Sequence, residues 1–188
     1  WVEAVMLPKV ESPLHVERIR SVLPAHIKIL ALVESALGIV RLDDIAAARP
    51  DRLIFGSADY LADIGASFSS EVLNYPRTRL VIASRAFSLP SPVDGPAIVM
   101  KDLDAIRADS QDARGLGMGA KLCIHPAQVP VVNEVFGISD EQRRWAEAVL
   151  AEAKNHSGAF SFEGDMIDEP ILKRARLMLA NAGVRRPN

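Results

Sequence analysis

The sequence predicts a parallel α/β fold built from repeated strand-helix units, and three observations predict it. Ala4-Val5-Met6-Leu7-Pro8-Lys9, Ile29-Leu30-Ala31-Leu32-Val33-Glu34 and Leu53-Ile54-Phe55-Gly56-Ser57-Ala58-Asp59 each run from apolar residues into a reactive polar one. The intervals from Lys9 to Glu34 and from Glu34 to Asp59 are both 25 residues, about one strand, one helix and two loops. Between these runs lie stretches with helical spacing of apolar residues. With 188 residues, 49% of them hydrophobic, and mean hydropathy +0.12, the chain can bury a real core. Such units place their polar run-ends at the carboxyl end of a parallel sheet, where barrels and doubly wound sheets carry out their chemistry.

The first strand leads from Trp1-Val2-Glu3 to Lys9. Pro13 then opens a helix with Val16, Ile19 and Leu23 on one face, ended by Pro24. A second strand, about Lys28 to Glu34, passes through Gly38 to a helix ending before Pro50, with Leu42, Ile45, Ala46 and Ala48 partly at helical spacing. The third strand is expected from about Arg52 to Ala58, followed by a polar, Ser-rich loop. Residues 74–87 could be strand at Leu80-Val81-Ile82-Ala83, but Leu80, Ala83, Ser84 and Phe87 share a helical face. Pro76 suits a first turn, and a crossover helix is needed there.

The fourth strand is expected at Ala97 to Met100, after the turn-prone Ser91-Pro92-Val93-Asp94-Gly95-Pro96. A helix from Asp102 to about Gly115, a fifth strand from Lys121 to Ile124 and a helix entered through His125-Pro126 complete the repeats. Residues 1–136 thus form five units and 137–188 a helical extension. The extension has a helix start at Ser139, with Gln142 three residues on, a loop from Gly158 to Asp165, and a last helix from about Glu169 to Asn181. A closed barrel needs eight strands, so three further units are expected upstream, making these strands 4 to 8.

Composition narrows the function classes. A net charge of −2 and 5% aromatic residues leave no basic surface with stacking platforms, so no nucleic-acid partner is expected. No apolar run has the length of a membrane span and the first residues do not read as a signal peptide. The single cysteine, Cys123, fits a reducing compartment, with cytoplasm as the default.

Glu34 and Asp59 are the sharpest candidates. Two carboxylates from adjacent strand ends, completed by water and substrate oxygens, suit Mg²⁺, which takes few protein ligands; the plainer alternative is two solvated loop acids. Lys9 has three readings: a Schiff-base nucleophile, a charge positioning an anion or Glu11, or a structural ion pair. His125 is a general base or a capping residue. Gly115, Gly117 and Gly119 precede a strand instead of following one, so they read as a helix stop and not a nucleotide loop. Asp165 and Asp168 flank Met166-Ile167, with capping by Asp168 as the simple role, and Cys123 fills space.

Five segments, in order, carry a family resemblance. They are Val5-Met6-Leu7-Pro8-Lys9-Val10-Glu11-Ser12, Leu32-Val33-Glu34-Ser35-Ala36-Leu37-Gly38, Phe55-Gly56-Ser57-Ala58-Asp59-Tyr60, Gly119-Ala120-Lys121-Leu122-Cys123-Ile124-His125-Pro126-Ala127-Gln128, and Gly158-Ala159-Phe160 through Met166-Ile167-Asp168. Together the sequence resembles the citrate lyase β-subunit-like acyl-CoA lyases, which include malyl-CoA and citramalyl-CoA lyases. The resemblance implies a (β/α)₈ TIM barrel with a C-terminal helical extension. Glu34 and Asp59 would be the Mg²⁺ ligands, the ion chelating the 2-oxo or 2-hydroxy acid unit of a CoA thioester.

Asp168 would be the acid/base residue at the thioester enolate, delivered into a neighbouring subunit's site in a homotrimer or hexamer. Lys9 becomes an electrostatic partner, with Glu11 beside it. The chain departs from the pattern at Ala58, where members often carry an acid, and at Val99, where a polar residue is common. The family's substrate arginine lies on the upstream strands. Competing readings are thioester hydrolysis at the same site, a metal-dependent aldolase acting on a free 2-oxo acid, and a non-catalytic barrel subunit.

Overall fold

The computed structural model describes residues 2–182, which form two compact units dividing between Phe136 and Gly137. In the first, β1 (Ala4–Leu7), β2 (Lys28–Val33), β3 (Arg52–Phe55), β4 (Val93–Asp94) and β5 (Ala120–Lys121) form one sheet in sequential order, and every neighbouring pair is parallel. Parallel neighbours require crossovers. These are α1 (Pro13–Val22), α2 (Ala36–Val40) with α3 (Leu42–Ala47), α4 (Ser57–Ile64) with α5 (Ser70–Ala86), and α6 (Leu103–Gly115); α7 (Gln128–Phe136) follows β5.

Strand positions such as Ile29, Ala31, Val33, Leu53 and Phe55 are completely buried and meet helix residues Val16, Leu42, Ile45, Leu73 and Leu80 in one core. The core therefore lies between the sheet and its helices, and every strand delivers its C-terminal residue to the same edge. A smaller cluster of Ala97, Ile106, Val131 and Val132 seats α6 and α7, and Cys123 packs against it.

Local chemistry explains the element ends. Ser12 Oγ caps α1 with Pro13 in its first turn, as the spacing predicts, and Gly117 takes a φ of +102° just beyond α6, making the glycine run a helix stop. Several elements differ from expectation, beginning with the helix expected before Pro50, which is two short helices, α2 and α3. β3 ends at Phe55 and α4 begins at Ser57, so Asp59 stands in a first helical turn and not in a loop. α5 starts at Ser70, where Ser69 Oγ caps Val72 N at 3.3 Å, and Pro76 is buried inside the helix at the loss of one backbone bond.

The fourth strand is Val93–Asp94, not Ala97–Met100: Pro96 turns the chain off the sheet, and Ile98, Val99 and Met100 are about half exposed. The fifth strand stops at Lys121, three residues earlier than expected.

The opposite edge of the sheet is tied by Asp51. Its Oδ2 accepts from Ile29 N at 2.7 Å and from Arg20 Nη2 at 2.6 Å. Burial alone would raise this carboxyl, but the Ile29 and Arg20 bonds outweigh it and hold the group below the ordinary carboxylate range. A depressed acid stabilises the fold fully above its unfolded value, about 3.9, and that contribution is lost as pH falls through the folded value. Asp51→Asn is expected to lower Tm at pH 6, and the gap from wild type should narrow as melting is followed down to pH 3.

The second unit has α8 (Asp140–Glu152), one turn of 3-10 helix at Ala153–Asn155, β6 (Phe160–Phe162), β7 (Asp165–Ile167) and α9 (Glu169–Ala182). Ser139 and Gln142 form a full capping box at α8. The segment expected as a loop is an antiparallel hairpin in which Phe162 pairs with Asp165. Its two turn residues, Glu163 and Gly164, both have positive φ, the geometry that matches strand twist in a two-residue turn. Phe160, Ile167, Val149 and Leu172 bury one another between hairpin and helices.

Candidate metal centre

Glu34 follows β2 directly and is 7% exposed. Its Oε1 accepts the Lys9 backbone N–H at 2.9 Å. Lys9 can donate there because its φ is +51°, a left-handed backbone that costs a non-glycine residue about 1–3 kcal/mol and is concentrated at functional sites. Gly56 makes room for the carboxylate: a Cβ at that position would stand 2.3 Å from Glu34 Cβ and 2.7 Å from Glu34 Oε2. Only the absence of a side chain at this position, between β3 and α4, lets the acid lie across it.

Asp59 reaches the same place from the first turn of α4, where the helix N-terminus favours negative charge. One turn further along, Asp63 Oδ2 accepts from Ala36 N at 2.7 Å, which pins α4 to the turn just after Glu34. The two acids converge. Burial raises the Glu34 carboxyl above its ordinary value, the Lys9 N–H opposes this, and the charge and side-chain hydrogen bonding of Asp59 raise it further. The exposed Lys9 ammonium adds an opposing positive field.

A buried carboxylate that feels the charge of a second one, beside a glycine packed too closely to bear a side chain, is an arrangement that a divalent cation can neutralise. Glu34 and Asp59 therefore fit Mg²⁺, which needs only one or two protein carboxylates. Among the described residues no group of three or more acids, histidines or cysteines is placed to hold a metal ion.

Glu11 accepts from Ser35 Oγ at 2.6 Å, and Ser35 in turn caps Gly38 N at 3.1 Å; no ion pair joins Glu11 to Lys9 among the described residues. Glu11 thus braces the turn behind Glu34. His125 Nδ1 accepts from Ala127 N at 3.1 Å, a capping bond. Asp168 belongs to the second unit, where its Oδ1 accepts from Ile171 N at 3.2 Å and caps α9.

Residues 1–126 match the family model for HpcH/HpaI aldolase/citrate lyase. The chain belongs to this family. Within it, the citrate lyase subunit beta-like protein of Mycobacterium tuberculosis is 36% identical over 187 residues, covering 95% of this chain and 66% of that protein. The human mitochondrial citramalyl-CoA lyase is 33% identical over 198 residues, covering 92% and 58%. A crystal structure of M. tuberculosis CitE in complex with magnesium, acetoacetate and coenzyme A superposes with TM-score 0.74 at 35% identity, covering 96% of this chain and 68% of that one. The chain spans about 58 to 66% of the length of these two curated relatives.

Sequence reasoning missed a second group of charged residues, on β4, β5 and the helices α5 and α6. Asp94 on β4 is completely buried and accepts from Arg77 Nε at 2.9 Å and Nη2 at 2.8 Å, and from Lys121 Nζ. Asp109 on α6 closes the set, 2.7 Å from Arg77 Nη2 and 2.6 Å from Lys121 Nζ. Two cations and two anions balance, tying α5, β4, α6 and β5 together. Burial would lower the Arg77 guanidinium, but the charges and hydrogen bonds of Asp94 and Asp109 together outweigh it and raise it. An acid inside a predicted turn beside apolar runs was the available signal, since buried charges need partners.

Proposed function

We propose that the full-length protein is a Mg²⁺-dependent acyl-CoA lyase. It breaks or forms a carbon-carbon bond in a CoA thioester that carries a 2-oxo or 2-hydroxy acid unit, of the malyl-CoA or citramalyl-CoA kind. The observation that carries this reading is the convergence of buried Glu34 with Asp59 at the carboxyl edge of the sheet. The CitE complex with magnesium, acetoacetate and coenzyme A supports it by likeness.

Glu34 and Asp59 would hold Mg²⁺, and the ion, when bound, would supply positive charge to the acid unit's oxygens, where negative charge builds as the carbonyl becomes an alkoxide in bond formation and sits before cleavage in the reverse direction. The backbone of Lys9 fixes the orientation of Glu34, and its ammonium favours an anionic substrate. Glu11, through Ser35, keeps the β2–α2 turn in place. Asp168 acts at the thioester: in condensation its carboxylate takes a proton from the acyl α-carbon, and in cleavage it returns that proton to the enolate carbon. In this reading Asp168 serves a neighbouring subunit of a homotrimer or hexamer whose barrels are complete. The compartment is reducing, so Cys123 stays a thiol.

The test is a small panel of CoA thioesters offered to the full-length protein with and without EDTA, with products identified. Cleavage to a 2-oxo acid and a shorter acyl-CoA that EDTA abolishes is expected; release of free CoA alone would replace lyase by thioesterase. Asp168→Asn is expected to lower turnover by about 10²-fold or more with Tm unchanged, since asparagine caps a helix as well as aspartate does. Mixed oligomers of Asp168→Asn and Glu34→Gln subunits should regain part of the activity if the site is shared, and none if each subunit works alone.

A further inference from the structure

Gln128, the first residue of α7, is 1% exposed and uses its whole hydrogen-bonding capacity. Its Oε1 accepts from Ile124 N at 2.8 Å and His125 N at 3.3 Å; its Nε2 donates to Ala97 O at 3.3 Å and Val99 O at 3.0 Å. All four bonds go to backbone atoms of two loops, the one after β4 and the one after β5. Both loops leave the carboxyl edge of the sheet, the edge that carries Glu34 and Asp59.

The loop after β4 is also packed at its base against the metal centre's own framework. A Cβ on Gly95 would lie 2.3 Å from Ser57 Oγ and 2.9 Å from Ser57 N, and Ser57 starts the helical turn that carries Asp59. Between this base and the Gln128 clamp the chain has no regular structure. It nevertheless presents Ile98, Val99 and Met100 at 51, 44 and 53% exposure, beside Ile124 at 57% on the second loop. An exposed apolar crest on irregular backbone keeps one shape only if its carbonyls are held, and here one buried amide holds them.

We infer that Gln128 is a positioning residue: by clamping these two loops it holds an apolar wall beside the Asp59 turn, against which the apolar arm of the thioester substrate packs. The inference rests on the lyase reading above for the identity of the ligand. Gln128 touches no reacting atom and acts through Ala97 and Val99.

Gln128→Glu separates the two ends of the clamp. The carboxylate still accepts from Ile124 and His125 but has no donor for the Ala97 and Val99 carbonyls, so the β4–α6 loop alone is released. In the full-length protein this variant is expected to weaken coenzyme A binding by tenfold or more in calorimetry and to raise KM for the thioester similarly. kcat and Mg²⁺ affinity should stay within threefold of wild type, a split that general destabilisation does not produce.

Ile98→Ser with Val99→Ser changes only exposed side chains and should give the same split, so it decides the matter if Gln128→Glu does not fold. Coenzyme A binding within twofold of wild type in the folded variants, or a loss confined to kcat, overturns the inference. A wild type that binds coenzyme A but shows no Mg²⁺-dependent cleavage overturns the lyase reading instead. A wild type that binds no coenzyme A overturns both.

Discussion

Glu34→Gln in the full-length protein is expected to abolish measurable Mg²⁺ binding and to lower turnover by about 10³-fold, roughly 4 kcal/mol of transition-state stabilisation. The substitution is chosen to spare the fold. The amide oxygen of glutamine can still accept the Lys9 N–H, and the side chain still lies over Gly56. Removing a buried negative charge pressed against Asp59 also relieves repulsion in the metal-free protein, whose Tm should therefore not fall. Calorimetry with Mg²⁺ and a melting curve on the same sample check both halves.

Cutting the buried ion network is expected to cost stability in place of chemistry. Arg77→Met leaves Asp94, which is completely buried, with Lys121 alone, and should destabilise the fold by about 3–5 kcal/mol, the usual result of removing one partner of a buried charge pair. A double replacement, Arg77→Met with Asp94→Leu, should recover a good part of that loss because no charge is then stranded between α5 and β4. Denaturant unfolding of the three proteins measures the difference. A single variant as stable as wild type would show that water already reaches Asp94.

Both expectations come from residues of unequal legibility. The 25-residue spacing of Lys9, Glu34 and Asp59 was readable because a parallel strand-helix unit has a nearly fixed length, and the structure brings Lys9, Glu34 and Asp59 to one edge of the sheet. The Ser139 capping box and the α9 helix were readable for local reasons, each being decided within a few residues. The start of α4 was not, because Gly56-Ser57-Ala58 carries no side-chain cap and looks like a strand running out.

The fourth strand was hidden by its brevity. Val93–Asp94 has two residues, one charged, while the more apolar Ile98-Val99-Met100 lies outside the sheet. What decides between them is tertiary: Asp94 finds Arg77 and Lys121, 17 and 27 residues away, and no window on the sequence contains those partners. Gln128 was visible as part of the His125-Pro126-Ala127-Gln128 segment, but its four backbone partners lie on two loops, the farther one reaching 31 residues from it. The hairpin around Glu163-Gly164 lacked the Asn-Gly or Asp-Gly signal that marks such turns most strongly.

The convergence of two acids on one cation is tested most directly by a crystal structure of the full-length protein grown with Mn²⁺ as an anomalous stand-in for Mg²⁺. A single strong anomalous peak bonded at once to a Glu34 and an Asp59 carboxylate oxygen is the predicted result. A peak bonded to neither acid or to only one of them, or no peak at a Mn²⁺ concentration that supports turnover, would contradict it.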